Sequence, residues 1–271
     1  MKQIRKLPPK SLAAMIAVRA LPGSPLYEGS KQKVIDTAMK DLEIYKKVEV
    51  QSIILENDFD LPYMRPPLPD TAIELMTEIA IKVRNEFDGP IGIQMLEAAN
   101  ETSLEIAHET DLDYIRVEGF VFAHVGTSGI IEGCAAKLLR KRKTLNAERI
   151  KVFADVKKKH CAHALTADLD ITDEVKQAEF CLVDGIIITS KFTGIAPNQN
   201  DFVKVRKITK LPLLVGSGMT PENISEFLPL ADVFIVGSVF RQDGKFLGET
   251  EPNRVNKFMK VFDRERKKLL T

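Results

Sequence analysis

Two glycine–serine pairs near the C-terminal end are the residues best suited to hold an anion. Gly216-Ser217-Gly218 follows the apolar run Leu213-Leu-Val, and Gly237-Ser238 follows Phe234-Ile-Val. Glycine lets a backbone approach a ligand closely, and backbone N–H groups bind a phosphate without help from a lysine. One such pair alone would be more simply a tight turn. Two pairs in succession predict a phosphate site to which both contribute.

A helix is expected directly after the first pair. Thr220 is a natural N-cap, Pro221 suits the first helical position, and Glu222 is favoured at the positive end of the helix dipole. The N-terminus of this helix would then add to the positive potential at the phosphate.

Candidate acid–base groups follow other apolar runs of the chain. Glu56, Asp155 and His160 could act as general acid or base, because burial or a like-charged neighbour can bring a pKa near neutrality. Arg116 and Lys159 would neutralise the charge of an anionic substrate. The same side chains could instead form ion pairs, Glu56 with Arg116 and Asp155 with Lys159. Further polar residues expected beside them are Asn57, Asp60, Glu118, Thr189, Thr193 and Gly194.

A metal site is the weaker alternative at the same place. His160 and His163 are three residues apart, as on one helix face, and Asp155 could add a carboxylate. No third histidine or thiolate has suitable spacing, so we predict no cofactor and leave a divalent metal open. Lys157 and Lys159 could carry Schiff-base chemistry, but this lysine run is more simply a basic rim that attracts an anion.

Apolar runs alternate with segments of helical period along the chain. The predicted strands are residues 12–17, 52–55, 91–95, 114–117, 150–156, 185–188, 211–215 and 233–236. The predicted helices lie near residues 34–47, 70–86, 101–109, 131–143, 172–180, 200–207, 221–228 and 253–269. Eight strands, each followed by a helix, predict an α/β fold: a single (β/α)8 TIM barrel domain over residues 1–271, with its core in about 12–262.

The barrel would bring the candidate residues together, because active sites of this fold lie where the carboxyl ends of all eight strands meet. The two glycine–serine pairs follow strands seven and eight, where such barrels commonly hold a phosphate. The main competing fold, a doubly wound open sheet, would favour a Gly-x-Gly-x-x-Gly after the first strand, which is missing here.

Composition narrows the classes of partner. The 271 residues include 39 Lys and Arg against 38 Asp and Glu, a net charge of +1, which gives no electrostatic reason to bind nucleic acid or an anionic membrane. No apolar run approaches the roughly 18–20 residues of a membrane span. The three cysteines, Cys134, Cys161 and Cys181, lack disulfide or metal-ligand spacing. We expect a cytoplasmic protein, with a short organellar transit peptide and a homo-oligomer left open.

Several short motifs, in order along most of the chain, resemble the BtpA/SgcQ family. They are Leu21-Pro-Gly-Ser-Pro25, Glu56-Asn57 with Asp60-Leu-Pro-Tyr63, Ile115-Arg-Val-Glu118, Ala154-Asp-Val-Lys-Lys-Lys-His160, Thr193-Gly194, Val215-Gly-Ser-Gly218, Ile235-Val-Gly-Ser238, Arg254-Val255 and Phe258-Met259. The resemblance implies a barrel of the ribulose-phosphate-binding type. It implies no reaction, and the photosystem I role in the family's name is not carried over.

Three positions depart from the family's pattern. Ala17 ends strand one where a histidine is common, Thr127-Ser-Gly129 replaces an Asp-x-Gly, and Ser190 replaces a glycine after Thr189. These departures put catalysis in doubt more than ligand binding, because the phosphate loops do not depend on them.

Two functions therefore stand as hypotheses. The first is an enzyme of isomerase, lyase or hydrolase type that acts on a phosphorylated metabolite such as a sugar phosphate or a nucleotide-like compound. The second is a non-catalytic ligand-binding or assembly factor on the same barrel.

Overall fold

The computed structural model describes residues 5–270, and its central feature is a closed barrel of eight parallel strands, with neighbours in chain order. The strands are β1 (Ser11–Ala17), β2 (Ser52–Glu56), β3 (Ile91–Gln94), β4 (Tyr114–Val117), β5 (Lys151–Val156), β6 (Gly185–Ile188), β7 (Leu213–Val215) and β8 (Val233–Val236). Every predicted strand is present, and the predicted (β/α)8 barrel is confirmed.

Eight helices follow the strands and cover the barrel. They are α1 (Lys31–Lys47), α2 (Asp70–Glu86), α3 (Asn100–Glu109), α4 (Ala135–Thr144), α5 (Ile171–Phe180), α6 (Gln199–Arg206), α7 (Ile224–Phe227) and α8 (Pro252–Leu270). Among residues 5–270, no helix is both long and apolar enough to cross a membrane. The short transit peptide left open above would include residues 1–4, which lie outside the described part.

The strands are apolar along their length because both of their faces are buried. In β1, Leu12, Ala14 and Ile16 pack outward against the helices, while Ala13 and Met15 face the barrel interior. Each large apolar side chain that is fully buried in this way contributes about 1.5–3 kcal/mol. The uninterrupted apolar runs of the sequence are the consequence of these two cores.

Two glycines give space to aromatic rings inside the barrel. A Cβ on Gly92 would lie 2.0 Å from the ring of Tyr114, and one on Gly185 would lie 2.7 Å from the ring of Phe153. The two rings pack against each other with centroids 5.4 Å apart. They close the barrel interior beneath the ends of the strands, so a ligand can reach only the upper part.

A small hairpin after β4 was not predicted. Its strands are His124–Gly126 and Gly129–Ile131. The second strand ends at Ile131, where the predicted helix 131–143 would begin, and α4 starts only at Ala135. The Ser128 backbone N–H, in the turn, donates to Glu97 Oε2 at 3.1 Å. The hairpin therefore leans over the mouth of the barrel from the β3 side.

Candidate functional site

A cavity of about 470 Å³ lies at the mouth, where the carboxyl ends of the strands meet. Its walls are largely apolar, with Met15, Leu96, Phe192 and Ile235 among them, and its polar groups lie on the floor and in the loops that follow the strands. The predicted residues that line it are Glu56, Arg116, Glu118, Lys159, His160, Thr193, Gly216, Ser217, Gly218, Gly237 and Ser238. The predicted residues outside its lining are Asn57, Asp60, Asp155, Thr189 and Gly194.

The floor of the cavity is a buried ion network centred on Arg116. Its Nε and Nη2 donate to the two carboxylate oxygens of Asp155 at 2.8 and 2.9 Å, and its Nη1 donates to Glu56 Oε1 at 3.1 Å. Burial works to lower the pKa of Arg116, but the carboxylates of Asp155 and Glu56 outweigh it and raise that pKa well above its ordinary value. The Glu56–Arg116 pair is therefore present, whereas Asp155 pairs with Arg116 instead of Lys159.

Among the carboxyl groups of the site, Glu56 is the one whose pKa lies near neutral pH. Burial raises its pKa to about 7, opposed by Arg116 and assisted by the nearby Asp58. Asp58 is itself buried, which raises its pKa, while Lys159 and Arg241 work to lower it. The sequence pointed to Glu56 but missed Asp58, which lies in the turn directly after β2 and lines the same cavity.

Asn57 and Asp60 have supporting positions. Asn57 Oδ1 accepts from the Leu96 backbone N–H at 2.7 Å, and Asp60 Oδ1 accepts from the Leu21 backbone N–H at 2.7 Å. Both side chains therefore fix loops around the mouth instead of entering the cavity.

The three consecutive lysines after β5 have different surroundings. Lys157 Nζ lies 3.8 Å from Glu174, and Lys158 Nζ bridges Glu97 at 3.2 Å and Glu118 at 3.0 Å. Lys159 Nζ has no carboxylate within 4.0 Å among residues 5–270, although it lines the cavity. Burial and the positive charge of Arg116 lower the pKa of Lys159.

Glu97 is a second site residue that sequence reasoning missed. Burial would raise its pKa, but hydrogen bonds from Ser128 and the charge of Lys158 lower it. Glu97 accepts a hydrogen bond from Ser128 of the hairpin and forms an ion pair with Lys158. It therefore connects the hairpin to the loop that follows β5. No short sequence motif marks it, since its partners come from distant parts of the chain.

The two glycine–serine pairs lie on adjacent strands, in the β7 loop (residues 216–219) and the β8 loop (residues 237–239). Both loops line the cavity. Six of their backbone N–H groups donate to no acceptor among residues 5–270, namely those of Ser217, Gly218, Met219, Gly237, Ser238 and Val239. The Ser217 hydroxyl is also buried without a hydrogen-bond partner in the described structure. Ser217, Gly218 and Met219 are buried, whereas Gly237, Ser238 and Val239 are partly exposed. Buried polar groups rarely stay unpaired, so the donors of the β7 loop in particular are suited to an anion.

The glycines are also required by packing. A Cβ on Gly216 would lie 2.4 Å from Thr189 Cγ2, and one on Gly237 would lie 2.9 Å from the Met15 sulfur. Gly218 has φ +80°, and its Cβ would lie 2.3 Å from the backbone of Ile195. A side chain at Gly216 or Gly218 would therefore clash with its neighbours, whereas at Gly237 the flexible Met15 side chain would have to shift.

The helix expected at 221–228 is shorter than predicted. Asn223 Oδ1 accepts from the Thr220 backbone N–H at 2.8 Å, and its Nδ2 donates to the Gly218 carbonyl at 2.9 Å. These bonds hold residues 221–223 in turns, and α7 begins only at Ile224, so Thr220 is not its N-cap. The donors for a phosphate are therefore loop N–H groups without a helix dipole behind them.

The two histidines after β5 point to different partners. His160 Nε2 lies 2.9 Å from Thr193 Oγ1 at the exposed rim, and His163 Nε2 lies 2.9 Å from the Lys158 carbonyl oxygen. Burial and the charge of Lys159 lower the pKa of His160. Asp155 is covered by Arg116, so the structure does not bring Asp155, His160 and His163 together. Residues 5–270 contain no group of three His, Cys, Asp or Glu side chains that could hold a metal ion.

Comparisons with known proteins agree on family and fold. The BtpA family model matches residues 9–264. An uncharacterised mitochondrial protein of Caenorhabditis elegans is 40% identical over 251 residues, 91% of this chain and 90% of the relative. The photosystem I biogenesis protein BtpA of Synechocystis sp. is 30% identical over 244 residues, 89% of this chain and 84% of the relative.

Among solved structures, the N-(5'-phosphoribosyl)anthranilate isomerase of Pyrococcus furiosus aligns with 94% of this chain and 99% of its own. The TM-score is 0.57 and the identity 11%, so this likeness concerns the fold alone. The family, by contrast, is shown by sequence over nearly the whole length, as the motifs predicted. The chain belongs to the BtpA family.

Proposed function

We propose that the protein binds a phosphorylated small metabolite and performs acid–base chemistry on the part of it that reaches the cavity floor. The phosphate would lie against the β7 and β8 loops. The observation that carries this proposal is the set of six loop N–H groups and the Ser217 hydroxyl, all without protein acceptors among residues 5–270. A phosphate group accepts several hydrogen bonds at once, which makes it the natural partner for several neighbouring donors.

The size of the cavity supports a small ligand. Its volume of about 470 Å³ suits a metabolite of sugar-phosphate or nucleotide-like size. The acidic and basic side chains of its lining balance in number, so the loop N–H groups, and not a net positive charge, are the feature that favours an anion. They are Glu56, Asp58, Glu97 and Glu118 against Arg116, Lys158, Lys159 and Arg241. The Pyrococcus isomerase of the same fold acts, by its name, on a phosphoribosyl compound.

Glu56 is our choice for the proton-transferring group. A carboxyl with a pKa of about 7 can both donate and accept a proton near neutral pH. Isomerase, lyase and hydrolase reactions all need such a group, and we propose this range without choosing among the three. His160, at the exposed rim beside Thr193, is a second candidate, whereas Asp155 serves to hold Arg116.

Replacing Ser217 with alanine tests the phosphate site, because we expect it to lower ligand affinity without lowering the stability of the ligand-free chain. Because the hydroxyl is buried and unpaired, we expect the ligand-free variant to be as stable as the parent chain or slightly more stable. Affinity for a sugar phosphate should nevertheless fall about tenfold or more, since a hydrogen bond to a charged group is lost. The melting temperature, measured against increasing ligand concentration, gives both numbers.

Ser225→Ala is the matched control, because Ser225 is an exposed serine of α7 outside the cavity lining. Equal affinity of the Ser217 variant and the parent chain for a ligand that stabilises both would contradict the proposed phosphate position.

A non-catalytic ligand-binding or assembly factor is the second candidate, favoured by two observations. The carboxylates of Glu56 and Asp155 are both engaged by Arg116, as in a structural ion network, and Ala17 offers no reactive group at the end of β1. Tight binding of a phosphorylated compound without turnover of any in a broad panel would favour this role.

Our proposals on location and partners are simple. We propose a cytoplasmic protein, with a mitochondrial one as the alternative because the Caenorhabditis elegans relative is named as mitochondrial. Balanced charge argues for a small-molecule partner and against nucleic acid or membrane. Cell fractionation decides the compartment.

A further inference from the structure

We propose that Lys159 is a nucleophilic amine that forms an imine with the carbonyl carbon of a phosphorylated aldehyde or ketone. The inference rests on the proposed function for the position of the phosphate, and it adds the class of substrate. The three consecutive lysines differ in their contacts. Lys157 and Lys158 lie within 4.0 Å of carboxylates. Lys159 lines the cavity and has no carboxylate within that distance in the described structure.

The backbone directs Lys159 into the site. Lys157 has a positive φ of 44°, which turns the chain directly after β5. The Lys159 backbone N–H then donates to Thr189 Oγ1 at 3.2 Å, so the residue is attached to the end of β6. Its Nζ makes no hydrogen bond within residues 5–270, which leaves the nitrogen available to a ligand.

The charges around Lys159 favour a neutral amine. The groups that act on it are Arg116 of β4, Glu56 and Asp58 of the β2 end, and Asp155 of β5. Burial and Arg116 together outweigh the three carboxyl groups, so the pKa is lowered. A larger fraction of unprotonated amine at neutral pH makes a lysine a better nucleophile.

Imine formation needs only Lys159 as the nucleophile and Glu56 as the proton donor. The lone pair of Lys159 Nζ attacks the carbonyl carbon, the C=O π bond opens, and protonated Glu56 gives its proton to the oxygen. The resulting carbinolamine loses this hydroxyl with one amine proton as water, and a C=N bond replaces the C–O bond. No oxidant or reductant is needed, and Glu56 regains a proton from the nitrogen or from solvent.

The test is reductive trapping with sodium borohydride, which converts an imine into a stable amine. Dihydroxyacetone phosphate and glyceraldehyde 3-phosphate are the probes, and intact-mass and peptide mass spectrometry locate the adduct. We expect one adduct per chain on Lys159. Labelling by glyceraldehyde, which lacks the phosphate, should be at least tenfold lower.

Two variants separate this reaction from general lysine labelling. Lys159→Arg keeps the positive charge but cannot be trapped as an imine, and we expect it to lose the adduct while circular dichroism stays unchanged. Lys191→Met removes an exposed lysine of the neighbouring loop. This variant should still be labelled on Lys159, as the parent chain is. Adduct spread evenly over surface lysines in the parent chain would overturn the inference.

Glycerol 3-phosphate distinguishes the proposed phosphate site from the proposed imine, because it carries a phosphate but no carbonyl. If it raises the melting temperature through Ser217 and neither carbonyl probe is trapped, the imine inference fails and the phosphate site stands. If neither the phosphate nor the carbonyl probes bind, both fail.

Discussion

Replacing Arg116 with methionine is expected to lower the free energy of unfolding by about 3–5 kcal/mol. The guanidinium is buried and makes two hydrogen bonds to Asp155 and one to Glu56. Without it, the two carboxylates would remain in the barrel interior with no opposite charge in contact, and burying an unpaired charge is strongly unfavourable. Urea denaturation followed by circular dichroism measures the loss.

Arg140→Met is the control, since Arg140 is exposed on α4 and bonds only to a carbonyl of its own helix. Its effect should stay within about 0.5 kcal/mol. Adding Asp155→Asn and Glu56→Gln to the Arg116 variant should recover part of the lost stability, because the uncompensated charges are removed. A loss below about 1 kcal/mol for Arg116→Met alone would contradict the buried network.

Replacing Glu56 with glutamine has the second large expected effect, and it depends on pH. The pKa of Glu56 is about 7 in the folded chain against an ordinary value of 4.5. Between these values the folded state binds the proton more tightly than the unfolded state, so this group's stabilising contribution is present at low pH and is lost as the pH rises from 4.5 to 7. The glutamine variant lacks this loss.

Relative to Glu56→Gln, the parent chain should therefore lose stability across this pH window, by an amount on the order of 2–3 kcal/mol. Denaturation at several pH values gives the difference. A stability difference that is constant from pH 4 to pH 8 would show that Glu56 titrates at its ordinary value and would remove the reason to make it the proton-transferring group.

The same substitution should lower turnover of the true substrate by about 10²-fold or more, because glutamine cannot transfer a proton. Glu56→Asp, which keeps the carboxyl on a shorter side chain, should retain part of the rate. Near-normal turnover of Glu56→Gln would move the acid–base role to another residue.

The fold could be predicted from sequence because each strand is buried on both faces and therefore continuously apolar. The two phosphate loops could be predicted for a related reason, since glycines directly after buried strands are visible in any sequence. The hairpin escaped prediction because it is short and partly exposed, and only its last residue, Ile131, fell within the predicted helix 131–143. Asn223 escaped because its two backbone partners, at Thr220 and Gly218, exist only once the turns have formed.

The site was harder to predict than the fold. The sequence suggested Glu56–Arg116 and Asp155–Lys159 as ion pairs, and only the folded structure shows that Arg116 binds both carboxylates. Glu97 was missed because its partner Lys158 lies far away in sequence. Asp58 was missed because the charges that act on it, those of Lys159 and Arg241, also come from distant parts of the chain. Three lysines in a row look identical in sequence, whereas the turn at Lys157 gives each a different environment.

The most direct test of the phosphate site is a backbone-amide NMR titration of the isotope-labelled chain with glycerol 3-phosphate, with glycerol as the control. Hydrogen bonding to phosphate shifts amide protons strongly, so we expect the largest saturable shifts at Ser217, Gly218, Met219, Gly237, Ser238 and Val239, and none with glycerol. Shifts concentrated on surface lysines and linear in concentration, with these six amides unmoved, would contradict a phosphate site between the β7 and β8 loops.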